Sequence, residues 1–142
     1  MKHFILLASV LVAFDCWAYN DSDLEKLKTL NACERCFISQ ANLSGANLGG
    51  ANLIGTRLNG TNFEGANLSR ANLSEVNLGR ANLGGANLGG ANLSYANLWE
   101  TNLEGANLSG ANLKGAFLRN ANLKRVDFTT TNLENINLDG AK

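Results

Sequence analysis

The sequence predicts an all-β solenoid, and three observations carry the prediction. From Cys36 to Gly140 the 142-residue chain runs in fives without an insertion or a slip. The middle residue of each pentapeptide is Leu in 18 of 21 cases, with Ile38, Phe63 and Phe128 as the others. The fifth residue is Gly at eleven positions, 45, 50, 55, 60, 65, 85, 90, 105, 110, 115 and 140, and Asn at 120 and 135. A helix needs apolar residues every 3.6 positions and a half-buried strand every 2, so neither fits a strict period of five.

Each element of the pentapeptide has a role in such a coil. Two residues before the centre stands a small or β-branched side chain, mostly Ala, with Thr56, Thr61, Thr101, Thr131, Val76, Val126, Ile136 and Cys36 as variants. This residue and the centre point inward, separated by one outward residue, which requires a short extended piece and then a corner. Gly or Asn in fifth place is what a type II turn demands, because its second central residue has positive φ. Where that place holds Arg70, Glu75, Arg80, Tyr95, Glu100 or Arg125, a different turn type is expected. Stacked coils then share backbone hydrogen bonds and bury a continuous core.

Runs such as ANLGGANLGGANLSYANLWE (residues 81–100) match the A(D/N)LXX pattern almost literally, and the chain resembles the pentapeptide-repeat proteins. The resemblance covers Cys36 to Gly140. It implies a right-handed quadrilateral β-helix with 20 residues per coil, about five coils here, and a rod roughly 25 Å long at strand spacing. It also implies an N-terminal helix and a Cys pair ahead of the repeats, and dimerisation through the C-terminal end. Some members are acidic rods that mimic DNA and bind topoisomerases.

Ahead of the repeats lie two further segments. Residues 1–18 have the parts of a secretory signal: Lys2 and His3, the apolar run Phe4–Phe14, and Cys16-Trp17-Ala18 at a cleavage site. The run is too short to cross a hydrocarbon core, so no stable membrane insertion is expected once the leader is cut. Residues 19–35 then hold a short capping helix, with Asp21 or Ser22 as its cap and Leu24, Leu27 and Leu30 laid over the first coil. Residues 36–140 form the β-helix, and 141–142 a short tail. The last coil carries Val126, Phe128, Leu133, Ile136 and Leu138 without a plug, so it either frays or meets a second copy.

Composition narrows the function. Lys+Arg and Asp+Glu are both 12, and the one His is His3 in the leader. A neutral chain has no long-range field to attract nucleic acid, and without imidazole it lacks the commonest general base. Cys33 and Cys36 form a CxxC, but a zinc site needs two further ligands, and none follow in the mature chain. A disulfide formed after export is the expected state, with reduced, buried thiols as the alternative and thiol-redox chemistry requiring an exposed, activated thiolate. No cofactor, metal or catalytic residue is expected, and a convex rod should offer no pocket.

The outward middle slot holds 17 Asn residues, departing only at Phe37, Arg57, Phe117 and Asp127. A surface array for water or carbohydrate is one reading. Amides that bond the next coil or a turn backbone are the other, favoured because a row spread over every face marks no single site. The 20-residue register stacks Glu104 with Lys124, Lys114 with Glu134, and Arg80 with Glu100, and it places Glu64 in the Glu104 column. It also sets Arg119 one coil beyond Trp99, where a cation–π contact is expected. Tyr95, Trp99, Arg119, Arg80 and Glu100 are thus the candidate interaction patch, for a protein partner of unknown identity. The overall expectation is an exported, non-catalytic structural or interaction module. The alternatives are a topoisomerase-binding DNA mimic or a redox role for Cys33 and Cys36.

Overall fold

The computed structural model describes residues 19–142; the leader expected at 1–18 lies outside them. Backbone pairing is parallel at a constant offset of 20 residues, from Ala32 with Asn52 to Phe117 with Asn137. Four pentapeptides therefore close each coil into a quadrilateral. Centres and small residues are buried almost without exception from Ile38 to Ala121. Where the small slot holds Thr, the buried hydroxyl is satisfied: Thr61 donates to the Ile38 carbonyl and Thr101 to that of Leu78, both at 2.8 Å.

With Asn in second place, the period of five satisfies every backbone N–H of an interior pentapeptide, as Ala66–Arg70 shows. Ala66 N–H closes the preceding corner onto Phe63 O at 2.9 Å. Asn67 N–H donates to Ala46 O in the coil before, and Leu68 and Arg70 N–H donate to Asn87 and Gly89 O in the coil after. That leaves Ser69 N–H at the corner, which donates to the Asn67 side-chain Oδ1 at 3.1 Å. Asn is thus the residue that completes the accounting. Its Nδ2 points the other way and donates to Asn47 Oδ1 at 3.0 Å, one coil earlier. The structural reading of the Asn row holds in both its forms.

The corners differ from expectation. Arg70, Glu75, Arg80, Tyr95, Glu100 and Arg125 all have φ between 53 and 60°, the same left-handed conformation as the glycines. A different turn would break two hydrogen bonds at once. At Arg70 these are its own N–H to Gly89 O and the Ala71 N–H to Leu68 O. The stack over-determines the corner and sustains a conformation costing an L-residue about 1–2 kcal/mol. Glycine at a corner has a second use, as room for the bulkier corner one coil before. A Cβ on Gly115 would stand 2.6 Å from Tyr95 Cδ1, and one on Gly55 would stand 3.2 Å from Arg35 Cγ.

Helix α1 (Asp21–Leu30) covers the N-terminal edge. Its cap is Asn20 rather than Asp21 or Ser22: the Asn20 side chain accepts from Ser22 N–H at 3.0 Å, leaving Asp21 and Asp23 in the first turn where acidic charge is favourable. Leu27 is buried and Leu24 packs against the core, but Leu30 is 65% exposed. Steps of three fall 60° short of a full helical turn, so the third Leu swings off the face that the first two share. Asn20 N–H donates to Phe37 O, and Phe37 N–H donates to Asp23 Oδ2 at 2.9 Å, which fastens α1 to the first coil.

The ladder also takes in more chain than the tandem run. Asn31–Arg35 forms a degenerate pentapeptide, with Ala32 paired, Cys33 buried as its centre and Arg35 at its corner. At the other end Lys142 N–H donates to Ala121 O, and Leu123 N–H donates to Lys142 O, so residues 141–142 join the stack. Nothing covers that last coil among the described residues, and Leu133 and Leu138 are exposed.

Candidate interaction face

One face of the quadrilateral differs from the other three. The departures Phe37, Arg57 and Phe117 are separated by multiples of 20 and so stand in a single column, interleaved with Asn77 and Asn97. Only Asp127 lies elsewhere, and it still behaves as the row requires, accepting from Thr129 N–H at 2.9 Å. The Thr129 hydroxyl and then its N–H hold the Asp127 carboxyl below the ordinary value. At Phe37, Arg57 and Phe117 the corner N–H of Ser39, Asn59 and Arg119 has no such acceptor. Each forgone bond costs about 0.5–1.5 kcal/mol. Phe37 and Phe117 meanwhile stand 48% and 55% exposed. A repeat that departs from its own rule in one column, toward exposed aromatics, has the signature of a functional surface.

The corner bounding this face carries Asn59, Gly79, Trp99 and Arg119, followed by Gly60, Arg80 and Glu100. Arg80 Nε pairs with Glu100 Oε2 at 2.9 Å, while its guanidinium lies 4.3 Å from the Trp99 ring centroid. The expected partner of Trp99 was Arg119. The ring instead leans back over Gly79, where no side chain opposes it, and meets Arg80 from the coil before. Arg57 lies over the Phe37 ring at 4.5 Å, here from the coil after and without a carboxylate partner. Tyr95, 58% exposed, stands at the opposite corner of the same face.

Of the stacked charge pairs, Arg80–Glu100 and Lys114–Glu134 (3.1 Å) form. The hydrogen bond and charge of Glu134 raise the Lys114 pKa above its ordinary value. Glu104 does not pair with Lys124: its Oε2 accepts the closer Asn122 amide at 3.2 Å, and Glu64 likewise accepts from Asn82. Glu64 and Glu104 stand two coils apart in one column, each on its own Asn amide, and are not brought together as an acid–base pair.

The expectation of a pocketless rod also fails. A groove of about 710 Å³ opens between Arg57 and Trp99, lined also by Gln40, whose amide lies over Gly60. Sequence reasoning selected Arg80, Trp99 and Glu100 but missed Phe37, Arg57, Asn59 and Asn77. Placing the four Asn-row departures in the 20-residue register would have found the column.

At the base of the rod the Cys33 and Cys36 sulfurs are bonded, with Cα atoms 5.4 Å apart and both residues buried. Asp23 stands close by, but a disulfide offers no thiolate to a metal. No described helix is long and apolar enough to cross a membrane.

A family model described as Pentapeptide repeats (8 copies) matches residues 38–74, 71–110 and 106–142. The chain belongs to the pentapeptide-repeat family, and its neighbours' fold is the right-handed quadrilateral β-helix. It is similar to a crystal structure of a pentapeptide repeat protein from the cyanobacterium Cyanothece 51142. The TM-score is 0.73 at 28% identity, covering 86% of this chain and 95% of that one. It is also similar to a pentapeptide repeat protein of the Arabidopsis thaliana thylakoid lumen. There the TM-score is 0.53 at 34% identity, over 62% of this chain and 65% of that one. No curated protein matches the sequence. The family is one of structural and interaction proteins rather than enzymes.

Proposed function

We propose that the protein is an exported, non-catalytic interaction module that presents the Phe37–Phe117 face to a protein partner. The single observation carrying this reading is the confinement of Phe37, Arg57 and Phe117 to one column of an otherwise regular Asn row. Exposed aromatics beside arginines are the residues from which interface hot spots are built. Export is supported by the leader read at residues 1–18, by the buried Cys33–Cys36 disulfide, and by a relative located in a lumen.

The intact mass of the protein from fractionated cells tests the export half. A mass starting at Tyr19, two hydrogens light and refractory to alkylation, is the expected result. A full-length cytosolic protein with alkylated thiols would sink it and reopen the topoisomerase-binding reading.

Phe117→Asn tests the face. It restores the acceptor for Arg119 N–H and a donor toward Asn97 Oδ1, so stability should rise by about 0.5–1 kcal/mol in urea titration. Cross-linking to the partner should fall in the same variant. A destabilised variant would mean that Phe117 is packed for structure. The uncovered C-terminal coil fits a second copy of the chain. Leu138→Glu should then convert a dimer to a monomer in sedimentation, and a monomeric parent protein rules that dimer out.

A further inference from the structure

The hydrogen-bond inventory of the groove specifies the chemistry of what it binds. Its asparagine acceptors are already used. Asn59 Oδ1 takes the Ser39 hydroxyl at 2.7 Å, Asn77 Oδ1 takes both Gly79 N–H at 3.1 Å and Asn97 Nδ2 at 3.3 Å, and Asn97 Oδ1 takes Trp99 N–H at 3.1 Å. Several of its donors are not used. Ten of the 17 row asparagines donate Nδ2 to an Asn Oδ1 one coil earlier, but the residue one coil before Asn77 is Arg57, which has no acceptor. Among the described residues Asn77 Nδ2 and Asn59 Nδ2 make no hydrogen bond, and Arg57 has no carboxylate partner. Arg57, Asn59 and Asn77 line one groove, with Arg80 across it. Unpaired donors, spent asparagine acceptors and a positive balance are complementary to a carboxylate.

The structure assigns this groove to an acidic segment of a protein partner, with an Asp or Glu carboxylate seated between Arg57 and Asn77. The assignment rests on the interaction reading of the face and goes further by naming the ligand chemistry. A peptide fits better than an acidic glycan because the two rings beside Arg57 and Arg80 are not free for sugar stacking. Guanidinium groups already cover Phe37 and Trp99, at 4.5 and 4.3 Å. A guanidinium stacked on a ring keeps its N–H edges available for carboxylate oxygens. The flanking Phe117, 55% exposed, would take an apolar side chain beside the acidic residue.

Fluorescence anisotropy of labelled hexaglutamate, hexaglutamine and a hyaluronan oligosaccharide against the full chain tests this assignment. Hexaglutamate should bind, hexaglutamine should not, and raising salt from 50 to about 300 mM should weaken binding several-fold. Arg57→Ala should weaken it about tenfold and Asn77→Ala several-fold, each with an unchanged circular-dichroism spectrum. Arg125→Ala, on another corner, should leave binding as it was.

Equal losses for Arg57→Ala and Arg125→Ala would overturn the site in favour of diffuse charge. Arg57-dependent binding of hyaluronan without hexaglutamate would overturn the peptide in favour of a glycan. Absence of all binding would overturn the acidic ligand altogether. The broader interaction reading has its own readout, photo-cross-linking from position 117 in the source cells. A cross-linked partner there, with no hexaglutamate binding, would refute the acidic segment and leave the interaction face standing.

Discussion

Phe63→Ala is expected to destabilise the protein by about 3–5 kcal/mol, more than any other truncation of a centre residue. Phe63 is fully buried, and it is the one aromatic centre so enclosed, since Phe128 is only partly covered. In the 20-residue register it stands between Leu43 and Leu83, both buried. The stack is fixed above and below by backbone bonds, Phe63 N–H to Asn82 O at 2.7 Å and Asn62 N–H to Ala41 O at 2.9 Å. Those bonds keep the coils from collapsing into the cavity, so the transfer loss and the void add. Each coil touches only its neighbours, and a void here weakens the coupling between α1 with the first coils and the rest.

Urea unfolding followed by far-ultraviolet circular dichroism should show a lower midpoint and a broader transition for Phe63→Ala. Phe63→Leu, which restores the common centre, should cost about 1 kcal/mol and unfold in one sharp step. A loss under about 1 kcal/mol for the Ala variant would mean that the coils close in after all, and the view of a rigid ladder would have to go.

What was legible in the sequence, and what was not, follows from the range of the forces involved. The solenoid could be read because a five-residue period repeats one local solution, and the 20-residue coil came with the family resemblance rather than from the period. The Asn row was legible for the same reason: Asn67 serves Ser69 two residues away and Asn47 one coil away, both fixed by the repeat.

Reasoning from single residues failed where the stack overrides local preference. Arg70 has little liking for positive φ, yet two backbone bonds hold it there. The partner of Trp99 was misassigned because the register gives two neighbours, above and below. The choice between them turned on Gly79, whose missing side chain lets the ring lean back toward Arg80. The groove was hidden because its lining, from Gln40 to Trp99, comes from successive coils that only the 20-residue register sets side by side.

Asn82→Ala is the second substitution with a large expected effect, about 2 kcal/mol of stability lost from a side chain outside the core. Asn82 Oδ1 accepts from Gly84 N–H at 3.1 Å and from Asn102 Nδ2 at 2.9 Å. Its Nδ2 is 3.3 Å from both Asn62 Oδ1 and Glu64 Oε2. Alanine removes all four contacts and leaves a corner N–H unpaired in a partly buried position, and that unpaired donor is the larger part of the loss.

Asn82→Asp separates the two functions of the amide. Aspartate keeps an acceptor for Gly84 and Asn102, as Asp127 does for Thr129, but it sets a second negative charge beside Glu64. It should therefore recover part of the loss, and recover more as salt screens the repulsion. The same losses for both variants would place the stabilisation in the amide ladder between coils rather than in the corner. A loss below about 0.5 kcal/mol for alanine would show that water serves Gly84 as well as Asn82 does. The exposed column at Phe37, Arg57 and Phe117 would then have forgone nothing, and the argument from broken regularity to function would lose its energetic basis.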